Sequence, residues 1–292
     1  ISNVSLSGLS YSGAYTGPED KSRRLVEVFN GVAVSLLAYS YGFNGFKGPA
    51  REEGWKLGFL DNDEIMEDMA EARRQGADFV IVSLHFGNEY QRLPSVQQKE
   101  LISRVLAGDP ENGLPGADLI LGHHPHVVQP FTAQVSPAQD QLAIYSLGNF
   151  ISNQNRTFTN LGVILDCLLT IEPSGRKTIS KVRLRPTLCY NRYWEGRRIF
   201  RIIPLEEAAA NPDLFEVLDA NIRKKTAQYQ KEMEQHLWKL LGPRLKKPEV
   251  SAAAAGSGKP GAVQKPGPAG SKPAARRAKR PAGGGTRPAE GL

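Results

Sequence analysis

Cysteine is nearly absent. The two in 292 residues, Cys167 and Cys189, fit neither a disulfide framework nor a thiolate metal knuckle, so the fold must rest on its apolar core. Both read as small buried hydrophobes on strands. No apolar run approaches the roughly 18 residues that a membrane-crossing helix needs. No basic stretch followed by an apolar segment marks a signal peptide. The chain also starts at Ile1 rather than Met, and it reads as processed or N-terminally incomplete. There is no phosphate loop or dinucleotide fingerprint, and neither Ser83 nor Ser146 sits in a Gly-x-Ser-x-Gly elbow, which makes Ser-His-Asp hydrolysis the weaker enzyme alternative. The net charge of +7 is confined to one place: residues 249–292 carry eight Lys/Arg against Glu249 and Glu290, so the remainder is nearly neutral. Nucleic acid is therefore not the expected partner of the folded part.

Gly, Pro and Ala make up 26 of the 44 residues from 249 onward, without one aromatic, and such a segment is expected to be disordered. Before it, Phe215, Leu218, Ile222, Tyr229, Met233, Leu237 and Leu240 recur at steps of mostly three and four. This spacing predicts one amphipathic helix over 213–241, stopped by Gly242-Pro243. His236 falls in it as a solvated residue. Residues 17–205 alternate helical and extended patterns: helix over 18–29, strand over 32–39, helix over 62–75, strand over 78–84, helix over 96–106, strand over 117–121 and strand over 142–146. A hairpin of longer strands follows, 162–172 and 181–189, turning at Pro173-Ser174-Gly175. The pattern predicts an α/β (α+β) sandwich without internal repeats.

Three short buried strands each end in a polar cluster, which is where open α/β sheets place ligands. The clusters are His85-Phe86-Gly87-Asn88-Glu89, Gly122-His123-His124-Pro125-His126 and Ser146-Leu147-Gly148-Asn149-Phe150, and the first two hold four of the five histidines. His124 and His126 are two apart, and Pro125 favours an extended His124, so both imidazoles are expected on one face, able to converge on one ion or on two neighbouring ions. His85 is the natural third ligand. Glu89 can bind metal, orient a ligating imidazole or serve as general acid/base. Asn149 can offer its oxygen to a metal or its NH₂ to an oxyanion, or simply make a turn.

The run DFVIVSLHFGNEYQRLPSVQQ, then ADLILGHHPHVVQP, then IYSLGNF resembles, in order and approximate spacing, the bacterial capsule-synthesis CapA family associated with poly-γ-glutamate capsules. The likeness runs from near residue 8 to about 205. It implies a fold similar to calcineurin-like metallophosphoesterases: two β-sheets flanked by helices, with a binuclear site of Mn, Fe or Zn at the strand ends. By this resemblance His85, His124 and His126 are metal ligands, and Glu89, Asn149 and His123 are neighbouring catalytic candidates. The family's further Asp, Asn and His ligand segments would lie upstream of residue 8, so this chain alone is expected to hold a half-built site. The implied organisation is a family domain over 1–205, a helical extension over 206–248 and the tail over 249–292. The implied role is a cell-envelope, metal-dependent hydrolase of phosphoester or polymer bonds, whose partners are an anionic polymer or a phosphorylated small molecule and a membrane-bound capsule-synthesis complex. The alternative is a non-catalytic binding subunit of such a complex.

Overall fold

The computed structural model describes residues 1–45, 48, 49, 51–154, 156 and 158–238, so the expected tail and the last residues of the expected C-terminal helix lie outside the described residues. Two short helices, α1 (Ser2–Leu6) and α2 (Pro18–Ser22), precede strands β1 (Val26–Phe29) and β2 (Val32–Ser40). A 3₁₀ turn, Arg51–Lys56, leads into α3 (Asn62–Arg74), β3 (Phe79–His85), α4 (Val96–Ala107), β4 (Leu119–His123), β5 (Phe131–Val135) and β6 (Asp140–Ile144). Then come β7 (Leu161–Ile171), β8 (Lys177–Trp194), β9 (Arg197–Pro204), α5 (Leu205–Ala210) and α6 (Ala220–Trp238).

The first six strands form one sheet in the order β1-β2-β3-β4-β6-β5, and β7-β8-β9 form a second, antiparallel sheet. Strands β2, β3, β4 and β6 run parallel, with β1 and β5 as antiparallel edges. Continuous apolar runs make these central strands because both faces are covered. Val80, Val82, Leu84 and Ile120 pack with Ile65 and Met69 of α3 and with Ile102 and Val105 of α4. Leu119, Leu142 and Ile144 pack with Leu161, Val163 and Leu188 of the second sheet, a layer continued by Leu205, Met233 and Leu237 of α5 and α6. The expected α/β sandwich is thus the fold observed. Both long helices on the outer face start on side-chain caps: Asp61 accepts from the amides of Asp63 and Glu64 at 3.0 and 2.9 Å, and Ser95 and Gln98 form a capping box.

One carboxylate joins the layers. Asp118 is fully buried; it accepts from the Val80 amide at 2.7 Å and from Arg73 of α3 at 3.0 Å, and it pairs with Lys177 at the start of β8.

Several expectations need correction. The helix expected over 18–29 ends at Ser22, and β-branched Val26 and Val28 enter edge strand β1, which pairs antiparallel with β2. Asn30-Gly31, with φ of 51° and 83°, makes the tight hairpin turn between them. The helix expected from 213 begins only at Ala220, because Asp219 accepts the Ile222 amide at 2.9 Å and so caps it there. His236 is half-buried rather than solvated, its Nε2 lying 2.8 Å from the Val128 carbonyl. Strands β5 and β9 and helix α5 were not expected. Glu195-Gly196, with φ of 49° and 74°, turns β8 directly into β9.

Candidate functional site

The carboxyl ends of β2, β3, β4 and β6 come together on one edge of the large sheet, and all three polar clusters sit there. Gly122 is required by close approach: a Cβ on it would lie 2.0 Å from the Tyr145 carbonyl oxygen of the neighbouring strand's end. The chain then turns sharply, with His124 at φ 97° and His126 at φ 59°. Neither residue is extended, which corrects the expectation that Pro125 would lay His124 in a strand-like conformation. The imidazoles still converge, through a tight turn instead of an i, i+2 strand face, with ring centroids 5.9 Å apart.

Glu89 reaches the same place from the loop after β3. One ligand atom from each of Glu89, His124 and His126 lies within 4.8 Å of the others, and the carboxylate oxygen is 3.9 Å from His126 Nε2. A tetrahedral zinc with bonds of about 2.05 Å places its ligand atoms roughly 3.3 Å apart, so small side-chain rotations close these three donors onto one ion. Two imidazoles and a carboxylate suit a divalent transition metal. The loop's position relative to the histidine turn is set by buried amides. Gln98 donates to the Gln129 side chain at 2.9 Å, and Gln129 donates to the Gln91 carbonyl at 2.7 Å. The Tyr90 amide donates to the Pro125 carbonyl at 2.7 Å.

Asn149 sits beside the group. Its Nδ2 donates to the Thr159 carbonyl at 2.8 Å, which turns its Oδ1 toward His126 Nδ1 at 3.0 Å. His126 Nδ1 must then carry the proton, leaving the Nε2 lone pair on the side of Glu89. Both ends of the Asn149 amide are engaged, so its contacts are those of a positioning residue.

His85 lies just outside these three, its ring 4.9 Å from that of His124 and parallel to Tyr41 at 6.1 Å. Desolvation, followed by the neighbouring imidazoles of His124, His123 and His126, pushes its pKa from 6.5 to about 4. His123 is in register with His85 across β3 and β4 and lines a cavity of about 410 Å³ with Ser40 and Ser83, away from Glu89. Burial lowers its pKa too, and burial and then His126 lower that of His124. All three are neutral near pH 7 and available as ligands.

These shifts make metal-free protein acid-labile. Below pH 6.5 the unfolded chain takes up protons that the folded His85 refuses, so the stability this residue contributes should be lost as pH drops from about 6.5 to about 4. Urea midpoints recorded in chelator at pH 7.5, 5.5 and 4.0 test this. A His85→Gln variant should show a shallower decline, and equal slopes would refute it.

Tyr41 and Tyr90 were missed as site residues. Both were within view, Tyr41 following the end of β2 and Tyr90 following Glu89, but their approach to the histidines depends on strand pairing.

Residues 1–154 match the family described as "Bacterial capsule synthesis protein PGA_cap". Capsule biosynthesis protein CapA of Bacillus anthracis is 31% identical over 154 residues, 52% of this chain and 34% of that protein. PGA biosynthesis protein CapA of Bacillus subtilis strain 168 is 30% identical over 180 residues, 62% of this chain and 43% of that protein. The chain thus matches less than half the length of either relative. Among solved structures, sulfate thiohydrolase SoxB of Thermus thermophilus, in complex with glycerol, aligns over 73% of this chain and 29% of its own at 16% identity. Its TM-score is 0.30.

Proposed function

The chain belongs to the bacterial capsule synthesis family PGA_cap, and from that premise we propose that it works at the cell envelope as a metal-dependent hydrolase of phosphoester or polymer bonds in surface-polymer biosynthesis. The capsule and PGA biosynthesis named for its relatives support the setting, poly-γ-glutamate being the polymer that the resemblance suggests. Among the described residues no helix is long and apolar enough to cross a membrane. In this reading residues 1–205 form the working domain and the helical segment 206–238 supports it, and a phosphorylated small molecule or anionic polymer is the substrate.

The observation that carries the chemistry is the convergence of Glu89, His124 and His126 at the strand ends, with Asn149 fixing the His126 tautomer. These three would hold a divalent ion, with His85 alongside for a second. Such an ion supplies Lewis acidity and a water acidic enough to be hydroxide near neutral pH. The chain's own part is to present unprotonated imidazoles and to keep His126 Nε2 aimed inward. Glu89, solvent-exposed on one side, can accept or return a proton at its free carboxylate oxygen.

Two outcomes separate the readings. Metal-dependent release of product from a panel of phosphomonoesters, phosphodiesters and γ-linked glutamate oligomers, lost on adding chelator, supports the hydrolase. Metal-dependent binding of these compounds without turnover in an N-terminally extended chain refutes it and leaves a binding subunit. Asn149→Ala should weaken metal binding by about 10–100-fold, the usual effect of removing a residue that orients a ligating imidazole. A competitive chelator titration measures it, and an unchanged affinity would detach Asn149 from the site.

A further inference from the structure

The ring beside Glu89 carries a cation. The Arg156 guanidinium lies 4.1 Å from the Tyr90 ring centroid, and that same ring stacks with His126 at 6.0 Å, 24° from parallel. A second guanidinium, that of Arg92, lies 4.0 Å from the Phe158 centroid. The two segments brace each other reciprocally: the loop after β3 gives Tyr90 and Arg92, the segment before β7 gives Arg156 and Phe158, and each arginine lies on the other segment's ring. Stacking fixes a guanidinium plane while leaving its N–H edge free to form a two-pronged bond to an oxyanion.

Arg156 is also tied to the triad through the backbone. Thr159, fully buried, donates its amide at 3.1 Å and its hydroxyl at 2.7 Å to the Arg156 carbonyl. The Thr159 carbonyl is the acceptor that orients Asn149, and through it His126. Arg156 opens onto a cavity of about 540 Å³ closed on its far side by α6, which contributes Lys225 and Glu232. The acids there are already engaged. Asp219 caps α6 and accepts from the Tyr190 hydroxyl at 3.0 Å, and Glu232 lies in the field of Arg92. Among the described residues neither Arg156 nor Lys225 forms an ion pair. A half-enclosed cavity with two cations outside any ion pair among the described residues, one of them pre-oriented on a ring, can receive an anionic guest.

We propose that Arg156, with Lys225 facing it across the cavity, is the specificity-determining subsite that seats a phosphate or carboxylate group of the substrate there, one aromatic ring away from Glu89, His124 and His126. Calling the guest a substrate rests on the hydrolase reading; the anion site itself does not. Lysine at 156 would keep the charge and lose the planar fork, so Arg156→Lys should fall between wild type and Arg156→Ala.

The test is calorimetric titration of metal-free chain with inorganic phosphate and, separately, with penta-glutamate, for wild type, Arg156→Ala, Arg156→Lys and the remote control Arg74→Ala. Expected is binding of at least one probe that weakens tenfold or more in Arg156→Ala, less in Arg156→Lys and not at all in Arg74→Ala. Which probe responds tells phosphate from carboxylate. Equal affinities in wild type and Arg156→Ala, or no binding of either probe by wild type, would overturn the proposal. Metal content, measured on the same samples before chelation, should be unchanged by Arg156→Ala. If it falls together with anion binding, Arg156 holds the triad and not a guest, and the proposal fails. Wild type that holds no metal yet loses anion binding in Arg156→Ala would sink the hydrolase and leave the subsite standing.

Discussion

Replacing Asp118 by alanine is expected to lower the stability of the fold by about 3–5 kcal/mol, the usual cost of removing one partner from a buried ion pair. Three donors lose their acceptor at once: the Val80 amide, Arg73 and Lys177. The two cations are themselves mostly out of water, with side-chain exposures of 16% and 17%. Burial already depresses the Lys177 pKa against the pull of Asp118, so without the carboxylate Lys177 should shed its proton more readily. Part of the loss should therefore be recovered as pH rises. Asp118→Asn, which keeps an acceptor for the Val80 amide, should fall in between. Urea unfolding at pH 7 and pH 9 measures all of this, and an Asp118→Ala loss below about 1 kcal/mol would mean that the contact does not hold strand, helix and second sheet together.

The second large effect concerns metal. In His124→Ala/His126→Ala, bound transition metal should drop from near-stoichiometric to background, a loss of at least about 100-fold in affinity, since removing a ligand exceeds the effect of removing a residue that only orients one. Both histidines come from one turn and Glu89 alone cannot hold the ion. Elemental analysis of untagged protein purified without chelator decides it. Equal metal in the variant, or none in wild type even in an N-terminally extended chain, would remove the metal centre on which the hydrolase reading stands.

Much of the framework was legible because burial on both faces leaves an unmistakable pattern. Phe79–Val82 and Leu119–Leu121 are apolar without interruption, and the runs they begin give way to polar residues at His85 and Gly122-His123. The same rule put Glu89, His124 and Asn149 at one sheet edge. What misled was composition overriding punctuation: Glu19, Asp20, Lys21, Arg23 and Arg24 suggested a long helix, whereas Asn30-Gly31 already announced a hairpin. Strand β9, with Arg197, Arg198 and Arg201 among its apolar residues, hid because an open sheet face tolerates such side chains. The pairings of Arg156 with Tyr90 and of Arg92 with Phe158 could not be read at all. They join segments more than sixty residues apart, and only the packing of the second sheet on the first brings them into contact.

The turn that carries His124 and His126 sets function against stability. Two non-glycine residues at φ 97° and 59° occupy backbone regions that cost of order 1–3 kcal/mol each when the side chain has a Cβ. Selection for folding alone would favour glycine at both positions. Glycine at either one should thus relieve that backbone cost while weakening metal binding. Thermal melting in chelator, alongside metal content, would expose the conflict as a gain in one readout matched by loss of the other. A chain free to drift toward stability would lose its histidines first at this turn.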